Sequence, residues 1–286
     1  MIIEKNQKFL IVGLGLLGGS YARALKKQGY TVNAITLDQR SIDYGLENGI
    51  IDRGTTSVDA DLIAEANVIV FALYPHVFVQ WIRENGHLLK EGTIITDVTG
   101  VKSGLVEQIQ GMLKPGVEFI AAHPMAGREV SGVENSDDSI FRGANYIVVP
   151  TEKNSFRAIE LCQELGKILG FADISVLPPK RHDEMIGFLS QLTHCIAVAL
   201  MCSNDATNLE RYTGDSFRDL TRIARINDEM WSELFLANRE VLLDVMDNYR
   251  ANFDRLYRCI ENEDKEEMRS MMRLSTERRQ RFDKKI

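Results

Sequence analysis

The chain has 286 residues, of which 44% are hydrophobic and 26% are charged, and its formal net charge is −7. This length is too great for one small domain and allows two domains, each with its own hydrophobic core. The acidic balance argues against nucleic acid as the main partner, because phosphate binding requires a basic surface.

The N-terminal segment MIIEKNQ does not have the basic, apolar and small-residue regions of a secretory signal peptide. The sequence also contains no run of ~20 apolar residues of the kind that forms a membrane-spanning helix. We therefore expect a cytoplasmic protein that has no membrane partner.

An apolar run near the start of the chain, KFLIV, ends in the glycine cluster GLGLLGGS. Gly13, Gly15 and Gly18 fit the pattern G-x-G-x-x-G between a predicted strand and a predicted helix. In that pattern the first glycine permits a tight turn, the second lets the backbone approach a pyrophosphate, and the third lets helix and strand pack closely. The anion would lie at the helix N-terminus beside Leu16 and Leu17. The motif predicts a dinucleotide site, with a purely structural glycine turn as the alternative.

Strands and helices alternate through residues 1–180. We predict strands at residues 31–37, 68–72, 93–97, 119–122, 146–149 and 174–176, and helices at residues 39–48, 75–89, 105–113 and 156–169. The continuous apolar run at 68–72 is typical of a strand that is buried on both faces of a parallel sheet. The pattern predicts an α/β fold, a doubly wound Rossmann-type domain with its ligand at the carboxyl ends of the strands.

The composition changes after Pro179, and no further proline follows in the chain. The patterns at residues 185–202 and 229–261 have helical spacing and are too long for strands. Residues 196–201 are apolar on nearly every side of a helix, which predicts burial all round. We therefore predict an all-helical domain at residues 181–286 that buries its excess apolar surface by forming a homodimer.

Polar residues with catalytic chemistry follow two of the predicted strands, in DVTGVK at residues 97–102 and in HPMAG at 123–127. A strand ends at His123, and Pro124 restricts the direction in which the chain leaves it. The imidazole is therefore expected to face the cofactor, and a structural core histidine is the alternative. We interpret His182, at the predicted domain junction, as a residue that caps or orients the entering helix.

Two further candidates lie in helical segments, namely His194 in SQLTH and Arg222 in DLTRIA. An equally good interpretation of His194 is a structural histidine whose imidazole is hydrogen-bonded within its helix and has no functional role. An arginine with apolar neighbours usually pairs with an acid or binds an anion, so Arg222 is a candidate anion ligand.

Together these motifs resemble the prephenate and arogenate dehydrogenases of tyrosine biosynthesis, over nearly the whole chain. The motifs are, in order, GLGLLGGS, DVTGVK, HPMAG followed by Ser131-Gly132, His182-Asp183, SQLTH, and DLTRIA with Trp231 nine residues beyond Arg222. The resemblance implies an NAD(P)-dependent oxidoreductase that removes hydride from prephenate and releases carbon dioxide, giving 4-hydroxyphenylpyruvate. It also implies a helical second domain that dimerises.

The resemblance further implies roles for individual residues. His123 matches the catalytic histidine that accepts the proton of the ring hydroxyl, and a neutral imidazole with a pKa near ~6.5 is suited to that task. Arg222 matches an arginine that holds a substrate carboxylate. His194 matches a histidine that meets the substrate side chain, with Ser190 and Trp231 in the same substrate site. Aromatisation drives the decarboxylation, so we expect no metal.

The chain departs from the family pattern at the catalytic loop and at the cofactor ribose. Gly100 stands where many members have a serine that hydrogen-bonds the catalytic histidine, which leaves that role to Thr99 or to water. Thr36 stands where an acid usually binds the ribose, with Asp38 and Arg40 close behind it. Thr36 cannot repel a 2′-phosphate and Arg40 could pair with one, whereas Asp38 could restore the discrimination. We expect NAD as cofactor, with NADP possible.

Three alternatives stay open at this stage. Arogenate, which differs from prephenate in carrying an amino group instead of a keto group, could be the substrate. A β-hydroxyacid or imine reductase of the same two-domain build would carry a catalytic lysine on the first long helix of the second domain. A non-catalytic dinucleotide sensor would need the glycines but would not need His123 and Arg222 together.

Overall fold

The computed structural model describes residues 3–128 and 130–283. The chain divides into two compact units, of which the first ends at Asn238 and the second begins at Arg239. A parallel sheet covered by helices comes first along the chain, and a helical part follows it. The predicted fold class is confirmed, while the predicted domain boundary at residue 180 stays a prediction.

The described strands are β1 (Lys8–Val12), β2 (Thr31–Ile35), β3 (Arg53–Thr55), β4 (Val68–Phe71), β5 (Ile94–Asp97), β6 (Glu118–Phe119), β7 (Ala121–Pro124), β8 (Asn145–Val149) and β9 (Asp173–Val176). The helices of the first unit are α1 (Leu16–Lys27), α2 (Gln39–Glu47), α3 (Ala60–Glu65), α4 (Pro75–Asn85), α5 (Leu105–Met112), α6 (Phe156–Leu169), α7 (Pro179–Ile186), α8 (Leu192–Met201), α9 (Asp215–Thr221) and α10 (Asp228–Ala237). The second unit contains α11 (Arg239–Glu261) and α12 (Lys265–Arg279), which pack against each other. We did not predict β3 and α3, because both are short and neither contains a long apolar run.

The main sheet has the strand order β3-β2-β1-β4-β5-β6, and every pair in it is parallel. Phe9 and Ile11 of β1 point into a core that contains residues of α1 and α6. Leu10 and Val12, on the opposite face, belong to a core that contains residues of α4 and α5. Both faces of the strand are therefore covered, which explains why residues 9–12 of β1 are apolar without interruption rather than at alternate positions.

The predicted strand at residues 119–122 is wrong, because the chain changes sheets there. β6 pairs with β5 in the main sheet, whereas β7 pairs antiparallel with β8 in a separate sheet of order β7-β8-β9. The backbone of Ala122 in β7 binds one side chain from the end of β5 and one from the loop that follows β5. Its N–H donates to the Asp97 carboxylate at 3.0 Å, and its carbonyl accepts from the Lys102 ammonium at 2.7 Å. Two side chains thus join the sheets at the point where the backbone ladder stops.

Asp97 and Lys102 form an ion pair of 2.7 Å in which both side chains are completely buried. Burial lowers the pKa of Lys102, and the neighbouring Asp97 carboxylate acts against that shift. A buried pair of this kind is sensitive to the loss of one partner, because the remaining charge then lacks both water and a counter-ion.

The long helical patterns of the second half are interrupted in the structure. The pattern at 185–202 belongs to the helix Pro179–Met201, which by length and composition alone is apolar enough to cross a membrane, a test that core helices of soluble proteins also pass. A π-helical turn, Gly187–Gln191, separates α7 from α8 within it. The pattern at 229–261 corresponds to two helices, α10 and α11, because the helical conformation is interrupted at Asn238.

We expect the Lys102→Met substitution to lower the free energy of unfolding by ~3–5 kcal/mol, because it leaves the buried Asp97 carboxylate unpaired. Chemical denaturation of Lys102→Met, Asp97→Asn and the double variant measures the coupling between the two side chains. The double variant should lose clearly less than the sum of the two single losses. Losses that add within ~0.5 kcal/mol would show that the pair is not a coupled unit.

Candidate active site

The glycine loop between β1 and α1 has the geometry that its motif predicts. Gly13 has a φ of 96°, which favours glycine. A Cβ built on Gly18 would overlap the Gly13 carbonyl oxygen, so this position must stay small for the turn to close. A Cβ built on Gly15 would meet no protein atom within 4 Å. The open space lies at the N-terminus of α1, whose first turn contains Leu16 and Leu17 and has no side-chain cap. These residues fit a bound pyrophosphate.

The end of β2 carries the residues expected near the cofactor ribose. Thr36 is half-buried, and its N–H donates to the Thr55 carbonyl at 3.1 Å. Asp38 is the N-cap of α2, where its carboxylate accepts from the N–H groups of Arg40 and Ser41 and, at 2.8 Å, from the Ser41 hydroxyl. The Ser41 hydroxyl bond lowers the pKa of Asp38. The Asp38 carboxylate is therefore used as a helix cap, and Arg40 lies exposed on the first turn of that helix.

His123 lies in β7, one residue beyond the backbone that Asp97 and Lys102 hold. Its Nδ1 is 2.9 Å from Nε2 of His182, on α7. Nδ1 of His182 is in turn 2.7 Å from Oδ1 of Asp183. The capping role predicted for His182 is wrong, because α7 has no side-chain cap and the His182 side chain is fully buried against the His123 ring. The position of His182 near the start of a helix carried no signal of this contact.

The surroundings keep both imidazoles neutral and keep Asp183 ionised. Burial lowers the pKa of His123 well below its ordinary value, and the electrostatic influence of His182 and of the Lys102 ammonium adds to that shift. Burial also lowers the pKa of His182, although the bond to Asp183 acts in the opposite direction. For Asp183 burial raises the pKa, but hydrogen bonds from His182, Ser103 and Lys102 outweigh burial and leave it lowered.

Contrary to our expectation, Thr99 makes no hydrogen bond to His123. Its hydroxyl donates to the Asp97 carboxylate and accepts from the Lys102 ammonium at 3.1 Å. Gly100 lies close to the His123 ring, since a Cβ built there would be 3.9 Å from Cε1 of His123. The hydroxyl of Thr99 therefore stabilises the buried ion pair, and His182 is the hydrogen-bond partner of the His123 ring.

A second group of predicted site residues lies on the helices that follow the sheet. The rings of His194 and Trp231 stack, with their centroids 3.7 Å apart. Nδ1 of His194 is 2.9 Å from the backbone carbonyl oxygen of Ser190, one turn earlier. Because a carbonyl can only accept, Nδ1 of His194 carries a proton. Arg222 lies on a short turn, Arg222–Ala224, that packs against α8.

The π-turn determines how His182 and His194 are oriented on their shared helix. His194 is twelve residues beyond His182, and a regular α-helix would place the two side chains roughly 120° apart around the axis. A π-turn takes up one additional residue, which reduces that difference to roughly 20°. The two histidines therefore project from nearly the same face of the helix, the face that carries His182 to His123.

Family comparisons match most of the chain. The family described as "Prephenate dehydrogenase, nucleotide-binding domain" matches residues 21–171, and "Prephenate dehydrogenase, dimerization domain" matches residues 178–274. The glycine loop lies just before the first matched range.

Individual relatives agree with the family match. A prephenate dehydrogenase of Bacillus subtilis is 30% identical over 93% of this chain and 73% of its own length. A cyclohexadienyl dehydrogenase of Zymomonas mobilis is 27% identical over 89% of this chain and 88% of its own length. The solved structure of prephenate dehydrogenase from Aquifex aeolicus, in complex with hydroxyphenyl propionate and NAD+, superimposes with a TM-score of 0.88 at 30% identity and covers 97% of this chain and 98% of that one.

The glycine loop generates a prediction for two matched alanine variants. Gly15→Ala should fold with unchanged stability and weaken NAD+ binding, because its methyl group would occupy the space for the pyrophosphate. Gly18→Ala should lower the free energy of unfolding by ~1–3 kcal/mol, because its methyl group overlaps the Gly13 carbonyl. Denaturation without cofactor and calorimetric titration with NAD+ measure the two effects. A destabilised Gly15→Ala together with an unaffected Gly18→Ala would contradict these assignments.

Proposed function

We propose, from the premise that this chain belongs to the prephenate dehydrogenase family, that it oxidises prephenate to 4-hydroxyphenylpyruvate with release of carbon dioxide. Family membership supports an NAD-dependent oxidoreductase, and tyrosine biosynthesis follows from that activity. The observation that carries the proposal is the neutral, half-buried His123 imidazole on β7, next to the backbone that Asp97 binds at the sheet edge that also carries the glycine loop.

His123 is the proposed general base. Loss of hydride from C4 of the substrate ring makes the attached hydroxyl acidic, and Nε2 of His123 accepts its proton. Breaking the bond between C1 and its carboxylate then supplies the electron pair that makes the ring aromatic. The imidazolium returns its proton to the phenolate oxygen, so His123 ends the reaction neutral. Bound NAD+ supplies the chemistry of accepting the hydride.

The remaining site residues bind and orient the cofactor and the substrate. The α1 N-terminus and Gly15 hold the cofactor pyrophosphate. Arg222 pairs with a substrate carboxylate, for which its planar donors are suited. His194, with Ser190 and Trp231, receives the substrate side chain on the helix face that it shares with His182. These groups place C4 against the nicotinamide, which is the main requirement once aromatisation drives the decarboxylation.

Arogenate is the second candidate substrate, because a relative of similar length is named a cyclohexadienyl dehydrogenase. The same base and the same ring chemistry serve both compounds, which differ at the side chain. Absorbance at 340 nm with NAD+ and each substrate in turn tests the activity and its preference. Absence of NADH formation with both substrates would refute the proposed function.

We place this activity in the cytoplasm.

The proposed base and the proposed carboxylate ligand should give different kinetic effects when they are substituted. His123→Asn should lower kcat by roughly 10²–10⁴-fold, the range for loss of a positioned general base. Arg222→Ala should chiefly raise the KM for prephenate, since a charge pair is lost. Steady-state kinetics distinguish the two patterns. A near-normal kcat in His123→Asn, or a raised KM for NAD+ alone in Arg222→Ala, would contradict the roles.

The pH dependence follows from the lowered pKa of His123. A lowered pKa means that the imidazole becomes protonated, and stops acting as a base, only at a pH below the ordinary value of ~6.5. The kcat/KM for prephenate should therefore stay level as the pH falls to about 6.5 and decline below it. An acid limb with its midpoint above pH ~7 would contradict the assignment.

The cofactor preference depends on the helix-capping role of Asp38. NAD+ is the expected cofactor, and because Thr36 is uncharged and Asp38 caps α2, discrimination against NADP+ should be less than ~10-fold in kcat/KM, or ~1.4 kcal/mol. Thr36→Asp should increase the preference for NAD+. Asp38→Ser, which keeps a capping oxygen, should leave the ratio unchanged. A large shift toward NADP+ in Asp38→Ser would mean that this carboxylate reaches the ribose.

The homodimer is supported by the apolar surface of the helical part. In α8 the side chains of Val198 and Leu200 are only half-buried and Met201 is exposed, so the burial predicted for residues 196–201 is incomplete in one chain. On α11 the rings of Phe253 and Tyr257 are exposed. Light scattering should give twice the chain mass of 32.3 kDa. A stable monomer at micromolar concentration would contradict the dimer.

A further inference from the structure

Three side chains form a buried row of hydrogen bonds behind the proposed base. Asp183 and His182 are completely buried, and their bond of 2.7 Å is followed by one of 2.9 Å to Nδ1 of His123. The Asp183 carboxylate is itself held by the backbone N–H groups of Lys102 at 2.9 Å and Ser103 at 2.6 Å. The row therefore runs from the loop after β5, through α7, to His123 on β7.

The proton positions along this row follow from the chemistry of its ends. An ionised carboxylate accepts hydrogen bonds and has none to donate, so Nδ1 of His182 must carry a proton. A neutral imidazole has one proton, which leaves Nε2 of His182 with a lone pair. Nδ1 of His123 must then donate to it. The lone pair of neutral His123 is consequently on Nε2, the atom that faces away from the row.

We propose that Asp183 and His182 are positioning residues that hold His123 in the tautomer with a protonated Nδ1 and a basic Nε2. This inference rests on the proposed function, because Nε2 is the atom that accepts the proton of the ring hydroxyl. Neither residue touches the substrate. They act by determining which nitrogen of His123 is the base, and this role belongs to the row rather than to Thr99, whose hydroxyl donates to Asp97.

The row also positions the ring. Asp183 lies on α7 and is anchored to the loop after β5, while Asn238 donates to the backbone carbonyl of Asp183 at 3.0 Å and to Gln191 at 2.7 Å. All of these side chains are buried. The acceptor for Nδ1 of His123 is therefore held from several sides, so the imidazole cannot rotate without breaking a hydrogen bond in a place that water does not reach.

Two variants at His182 distinguish the effect of losing the hydrogen-bond acceptor for His123 from the effect of changing the packing. His182→Gln places a side-chain oxygen where Nε2 stood, and this oxygen can accept from Nδ1 of His123. His182→Leu has a similar size and no acceptor. We expect His182→Leu to lower kcat by roughly 10²–10⁴-fold with little change in the KM for prephenate, which is the range for a lost or misdirected base. His182→Gln should recover at least tenfold of that loss, and thermal denaturation measures the stability of both.

The tautomer is measured directly by nitrogen NMR of protein with ¹⁵N-labelled histidine. The signals of His123 are those that are missing from the spectrum of the His123→Asn variant. In the wild type its Nε2 should be the unprotonated nitrogen, and in His182→Leu a substantial fraction should carry the proton on Nε2 instead. An unchanged tautomer in His182→Leu, or equal kcat values in the Gln and Leu variants, would overturn the proposal.

The NMR measurement needs no substrate, so it separates this proposal from the proposed function. A wild type that turns over prephenate but carries its His123 proton on Nε2 would overturn the tautomer assignment and leave the function intact. A wild type that shows the expected tautomer and turns over neither prephenate nor arogenate would overturn the function, and with it the role assigned to Nε2.

Discussion

The buried ion pair between Asp97 and Lys102 is the constraint on which the rest of the site depends. It occupies the point where the main sheet ends and the chain passes into a second sheet, and it binds the backbone of Ala122 from both sides. The next residue is His123. Through its own backbone N–H, Lys102 also binds Asp183 on α7. Lys102 therefore connects β5, β7 and α7. The orientation of His123 follows from these connections.

Burial of this ion pair has an electrostatic consequence for the histidines beside it. A desolvated environment disfavours added charge, and the Lys102 ammonium makes a second positive charge on His123 or His182 costlier still. Both rings are held neutral, and Asp183 stays ionised because donors surround it. A base must be neutral before it can accept a proton, so the environment that stabilises the fold also prepares His123 for its proposed task.

The helix after the sheet combines two tasks that a regular α-helix could not. Its first turns carry His182 and Asp183 into the buried row, and its later turns carry His194, which stacks on Trp231. The π-turn between them changes the phase of the helix so that both histidines project from nearly the same face. At the end of β2, the capping bonds of Asp38 occupy a carboxylate that we had expected near the cofactor ribose.

The sequence by itself determined the elements and the chemistry that depends on local order. The glycine spacing and the apolar run of β1 could both be predicted, because turn geometry and periodic burial act over a few residues. Only the tertiary structure decided the partners. His123 meets His182 across 59 residues, Lys102 meets Asp183 across 81, and Thr99 binds Asp97 rather than the catalytic ring. Several acceptors compete for each buried donor, and the choice is made by which of them the packed helices and sheets bring within hydrogen-bonding distance.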